Sequence, residues 1–143
     1  ARAMDVRDVR QREHRFQGAQ VILLDTHAAL WLLGGNRRAE SLIASEKPLF
    51  LSPVSLLEFR FLIEAGKLRI AERDWEERLS RDRRFRIDDC RVGDLVTGAA
   101  ELGFTRDPFD RLIAGHAMAR GYRLATADHV LLEHLPRARV FPL

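Results

Sequence analysis

A chain of 143 residues, 46% of them apolar, with a formal charge of +3, has the size and make-up of one globular domain with its own core. Its single cysteine, Cys90, excludes an internal disulfide framework and a cysteine-based zinc site, and fits a reducing, cytoplasmic setting. No apolar run reaches the roughly 18 residues of a membrane span, and no signal-peptide pattern is present.

The basic side is almost all arginine, with Lys47 and Lys67 the two lysines. The guanidinium fork matches phosphate, so nucleic acid is a permitted partner. So small a net charge does not demand one, and an arginine-favouring genome would give the same bias.

In chain order, residues 1–19 alternate charges without a sustained period and read as a flexible N-terminal extension or frayed helix, with the domain over 20–143. The run Val21-Ile22-Leu23-Leu24 has no polar break and fits a strand buried on both faces. It runs into Asp25, at the strand edge where open α/β sheets bind ligands. Asp25 could equally cap the next helix, read over His27 to Leu33 and ended by Gly34-Gly35. A second helix is expected over Arg37–Ser45 and a short strand over Pro48–Ser52.

Ser52 followed by Pro53 starts a helix reaching about Ala65. At 100° per residue, Glu58 falls between Val54, Phe61, Leu62 and Ala65, inside the apolar face. A carboxylate there is costly unless something pairs with it. Residues 72–83 read as an amphipathic helix anchored by Trp75 and Leu79. A strand is expected at Phe85–Ile87 and a helix over Val92–Leu102. Asp107-Pro108 opens another helix, with Asp107 as its cap and Gly121 as its end. Asp110 lies one turn in, beside the small residues Ala114 and Ala117, which leave room for a ligand or ion. Favouring the positive end of the helix is its competing role. Tyr122–Thr126 is a strand that runs toward Asp128. A short helix (Val130–His134) and a strand (Arg139–Phe141) close the chain. This alternation predicts an α/β fold: a three-layer α/β/α domain with a mainly parallel central sheet.

Asp25, Glu58, Asp110 and Asp128 therefore converge on one sheet edge if the strands before Asp25 and Asp128 are neighbours. Four close carboxylates raise one another's pKa and need a cation to stay ionised. Arg111 is adjacent and reads as a supporting group, but one arginine cannot balance four acids. Hard oxygen ligands without cysteine favour Mg²⁺ (or Mn²⁺) over zinc, and such a centre suits phosphodiester hydrolysis.

The segments LLDTHAALWLL (23–33), SPVSLLEFRFLIEAGKL (52–68), DPFDRLIAGHAMARG (107–121) and LATAD (124–128) resemble the PIN-domain nucleases. The likeness is greatest to the VapC-type toxins of bacterial toxin–antitoxin pairs. The resemblance spans nearly everything from Val21 onward. It implies a PIN-like fold and a metal-dependent endoribonuclease with Asp25, Glu58, Asp110 and Asp128 as catalytic and metal-binding acids. It makes Thr26 and Thr126 supporting, water-orienting groups, and Asp107 a cap that could also reach the metal through water. It further implies an RNA substrate, a homodimer and a small antitoxin partner whose tail enters the acidic groove.

His27 is usual for this branch and is not read as catalytic. Gly115-His116 departs from a small-residue–Gln pair, and His116 reads as a half-buried structural histidine. Trp31, Leu56, Phe59 and Phe61 either fill the core or face a partner. The alternative function is a catalytically inactive PIN-like RNA- or protein-binding module, which would be expected to have lost at least one acid. A response regulator would need paired acids after the first strand and a lysine near the last, and a flap endonuclease would need insertions this chain lacks.

Overall fold

The structure, a computed structural model, describes residues 21–70 and 73–143. The expected extension over 1–19 and the start of the helix expected from residue 72 lie outside the described residues. The elements are β1 (Ile22–Leu24), α1 (Thr26–Leu33), a 3-10 turn (Arg37–Ala39), α2 (Glu40–Ala44), β2 (Leu49–Leu51) and α3 (Pro53–Glu64). They continue with α4 (Trp75–Arg81), β3 (Arg86–Ile87), α5 (Val92–Ala100), α6 (Pro108–Arg120), β4 (Arg123–Thr126), α7 (His129–His134), a 3-10 turn (Arg137–Arg139) and β5 (Val140–Pro142).

The strands form one sheet in the order β3-β2-β1-β4-β5, and each pairing is parallel, with Leu23 level with Phe50 and Leu124. The uninterrupted Val21–Leu24 run takes the middle place, where every side chain is shielded from water; all four are 0% exposed. The pleat sends alternate residues to opposite faces. Ile22 and Leu24 join Leu51, Ala125, Phe59 and the apolar sides of α1, α2 and α4. Val21 and Leu23 join Phe50, Leu124, Tyr122 and the inner side of α6. These two half-cores make the three-layer arrangement expected of the sequence.

Several boundaries differ locally. The stretch Arg37–Ser45 is not one helix. Asn36 caps a 3-10 turn by accepting from the Arg38 N–H, and the α-helical geometry starts only at Glu40. The face of α3 toward the core carries Ser55 and Phe59, not the Phe61–Ala65 side that the helical wheel placed there. Phe61 is 50% exposed and meets Phe109 edge-on at 5.4 Å. Of the four large residues that could have faced a partner, Phe59 is core, while Trp31 and Leu56 are partly buried against it. Among the described residues no helix is long and apolar enough to cross a membrane.

Candidate active site

Because β1 and β4 are neighbours, their carboxyl-terminal ends place Asp25 and Asp128 side by side. The Asp25 N–H donates to Ala125 O at 3.0 Å. Both acids cap helices, the role that competed for Asp25. Asp25 accepts from the Ala28 N–H at 2.7 Å and Asp128 from the Leu131 N–H at 3.0 Å. Capping uses one lone pair of one oxygen and leaves further acceptor positions on each carboxylate.

α3 and α6 bring the remaining acids over this edge. Carboxylate oxygens of Glu58, Asp107 and Asp110 lie within 4.8 Å of one another. The tightest group thus contains Asp107, which the sequence placed behind the four. Asp107 is also the cap of α6, accepting from the Phe109 and Asp110 N–H groups at 2.9 and 3.1 Å. Asp25 and Asp128 stand beside that group and interact with it electrostatically. Burial, then Asp107, Asp128, Glu58 and Asp25, all raise the Asp110 carboxyl, to about 7. Burial also raises Asp25 and Glu58. Hydrogen bonds from Thr126 and the Ala28 N–H oppose it at Asp25, and one from Thr26 opposes it at Glu58.

The two threonines sit where supporting groups were expected. Thr126 bonds to Asp25, and its Oγ1 accepts from the Asp128 N–H at 3.0 Å. Thr26 bonds to Glu58 and lies 3.3 Å from Ser55 Oγ. His27 is exposed, 6.3 Å from the Trp31 ring, and close enough to both Asp25 and Glu58 to oppose their rise electrostatically.

Two expectations need correction. Arg111, expected as a supporting group beside the acids, donates from its guanidinium to the Ala99 and Ala100 carbonyls at 2.8 and 3.2 Å. It satisfies the open end of α5 instead. His116 is fully buried, not half-buried, and sits between Ser52 Oγ and Asp88 Oδ2, each at 2.8 Å. Asp88 escaped notice in the sequence, although a third acid directly after a strand carried the same signal as Asp25 and Asp128.

A PIN-domain family model matches residues 22–137. Ribonuclease VapC22 of Mycobacterium tuberculosis (strain ATCC 25618 / H37Rv) is 30% identical over 120 residues, 79% of this chain and 91% of its own. This chain belongs to the PIN-domain family, on its VapC branch. Two solved structures share the PIN fold. DNA-bound VapBC from Salmonella typhimurium has a TM-score of 0.60 at 24% identity, covering 85% of this chain and 96% of that one. VapBC2 from Rickettsia felis, bound to a promoter DNA fragment, has a TM-score of 0.60 at 20% identity, covering 86% and 98%.

The donor set of this PIN domain fits a hard divalent cation. Five carboxylates share one edge, and the push on Asp110 is what an uncompensated cluster produces. A cation must displace the Asp110 proton below about pH 7. Mn²⁺ affinity, measured by titration calorimetry, is therefore expected to fall about tenfold per pH unit below 7 and to level off above it. A flat profile from pH 5.5 to 8 would remove Asp110 from the binding step.

Proposed function

We propose that this chain is a metal-dependent endoribonuclease and the toxin of a VapC-type toxin–antitoxin pair, using Mg²⁺ or Mn²⁺. The observation that carries this reading is the gathering of Asp25, Glu58, Asp107, Asp110 and Asp128 at the edge shared by β1 and β4.

Glu58, Asp107 and Asp110 hold the cation, with Asp25 and Asp128 completing the oxygen set. A bound divalent ion supplies charge against the phosphoryl oxygens and acidifies water. Thr26 and Thr126 fix the carboxylates they bond to, so that Glu58 and Asp25 meet the cation in one orientation. Helix starts at Asp25, Asp107 and Asp128 point their positive ends at these capping carboxylates and offset part of their mutual repulsion.

The inactive-module reading gains nothing here, because no acid of the set is lost. The antitoxin inhibits by presenting a cationic tail to the same carboxylates, and the toxin works as a homodimer on cytoplasmic RNA. VapBC complexes among the structural neighbours support the antitoxin partner.

The test is cleavage of a mixed tRNA and rRNA pool by partner-free protein with Mg²⁺ or Mn²⁺ and with EDTA, native chain against Asp25→Asn. Asparagine keeps the oxygen that caps α1 and removes the charge, so folding is preserved. Discrete fragments should appear only with metal and drop about a hundredfold or more in the variant. Cutting that continues undiminished in Asp25→Asn would refute this assignment.

A further inference from the structure

We propose that His116 is a positioning residue that locks α3 to α6, and so sets the gap between Glu58 and Asp110 in which the cation is held. The inference rests on the metal-site reading above and goes beyond it to residues that do not touch the metal.

The lock is a chain of four polar groups, three of them buried and the fourth, Arg120, partly exposed. Ser52 Oγ lies 2.8 Å from His116 Nδ1, and His116 Nε2 lies 2.8 Å from Asp88 Oδ2. Arg120 closes the far end with a fork, its Nε 3.0 Å from Asp88 Oδ2 and its second nitrogen 3.1 Å from Oδ1. Ser52 and His116 are 0% exposed and Asp88 is 7% exposed. Every polar atom here has a partner: Nε2 donates to the Asp88 carboxylate, which only accepts, Nδ1 faces the Ser52 hydroxyl, and Ser52 Oγ accepts from the Val54 N–H at 3.2 Å. Burial works against the Asp88 carboxylate, but the bonds from His116 and Arg120 outweigh it and hold it below its ordinary range.

What the chain connects gives it a function. Ser52 is the cap of α3, the helix that carries Glu58 six residues later. His116 is on α6, six residues after Asp110. Asp88 follows β3, and its N–H donates to Leu51 O, the end of the strand before Ser52, at 2.9 Å. Six residues of helix span about 9 Å. A rotation of about 5° between α3 and α6 at the lock therefore moves the carboxylates by about 0.8 Å. Metal–ligand distances tolerate about 0.2 Å. Apolar packing alone allows small helix adjustments, whereas hydrogen bonds to a buried imidazole have one geometry.

The experiment uses the full chain and two readouts. Mn²⁺ affinity is measured by calorimetry. The α3–α6 separation is measured by pulsed electron spin resonance between labels at Leu57→Cys and Ala119→Cys, both exposed and one on each helix, in a Cys90→Ala background. His116→Phe keeps the ring volume and removes both bonds; it should weaken Mn²⁺ binding about tenfold or more and broaden the distance distribution. His116→Gln, which keeps a donor and an acceptor, should bind within about threefold of native. Leu42→Val, remote in the other half-core, should lower Tm and leave both readouts unchanged. Folded His116→Phe with native affinity and a native distance distribution would overturn the proposal. If His116→Phe fails to fold, Ser52→Ala and Asp88→Asn carry the same expectation and the same overturning result. If the native chain binds no Mn²⁺, the metal reading falls, and the distance measurement still decides whether the lock holds the helices.

Discussion

Asp110→Asn should abolish metal-dependent cleavage and at the same time raise the Tm of the metal-free protein. Both effects come from one source. Burial and four neighbouring carboxylates push the Asp110 carboxyl to about 7, so its ionised form is destabilising in the folded chain without metal. A carboxyl whose folded pKa is raised binds its proton more tightly folded than unfolded. Its penalty is therefore absent below its ordinary value of 3.8, grows as pH rises toward 7, and is complete above that. Asparagine has nearly the same shape and no charge, so it removes the penalty. Thermal melts in EDTA should coincide for the two proteins near pH 4, and the variant should melt higher at pH 8. Cleavage should fall by about a hundredfold or more, because a cation loses one anionic oxygen from its tightest group. Equal melting temperatures at pH 8 would mean that the cluster is not under electrostatic strain. Such opposed effects on stability and activity are expected where a site is kept strained for its chemistry.

The parts of this site that local chemistry determines were legible in the sequence. An apolar run ending in Asp25 gave β1 and its acid. Ser52-Pro53 and Asp107-Pro108 gave the starts of α3 and α6, because a cap followed by proline fits few other conformations. Thr26 and Thr126 came from the resemblance to the PIN-domain nucleases rather than from any local pattern. The rest depended on pairs far apart in the chain. His116 finds Ser52 and Asp88 at separations of 64 and 28 residues, which no local period encodes. Arg111 lay next to Asp110 in sequence, but helix geometry points consecutive side chains about 100° apart, and it turned to α5. Glu58 lies beside Asp107 and Asp110, but the wheel that drew attention to it misplaced some of its neighbours. The apolar neighbours on its wheel include Phe61, which is half exposed and packs edge-on against Phe109 rather than in the core. Asp107 was read as a cap first, and a carboxylate has oxygens enough to be a cap and a ligand together.

Gly115→Ala should be among the most destabilising small substitutions in this chain, although alanine in a helix is normally worth about 1 kcal/mol more than glycine. The reason is how closely α5 and α6 cross. A Cβ on Gly115 would stand 2.4 Å from Ala99 N and 2.8 Å from both Ala99 Cα and Leu95 O. Gly98 faces it from α5, where a Cβ would stand 2.4 Å from Gly115 O. Backbone cannot swing aside as a side chain can, so the helices must part. Parting strains the Arg111 bonds to Ala99 O and Ala100 O and moves the helix that carries Asp110 and His116. The expected loss is about 2–3 kcal/mol, which for a chain of this size lowers Tm by roughly 10 °C. Gly93→Ala is the internal control: it lies in the first turn of the same α5 with nothing within 4 Å of its Cβ, and should be neutral or slightly stabilising. Because Gly98 and Gly115 share one contact, the Gly98→Ala/Gly115→Ala double variant should cost less than the sum of its parts. A Gly115→Ala protein that melts with the native chain would show that the crossing can open without cost. Folded Gly115→Ala should also bind Mn²⁺ more weakly than native, since α6 cannot move away from α5 and still hold Asp110 against Glu58.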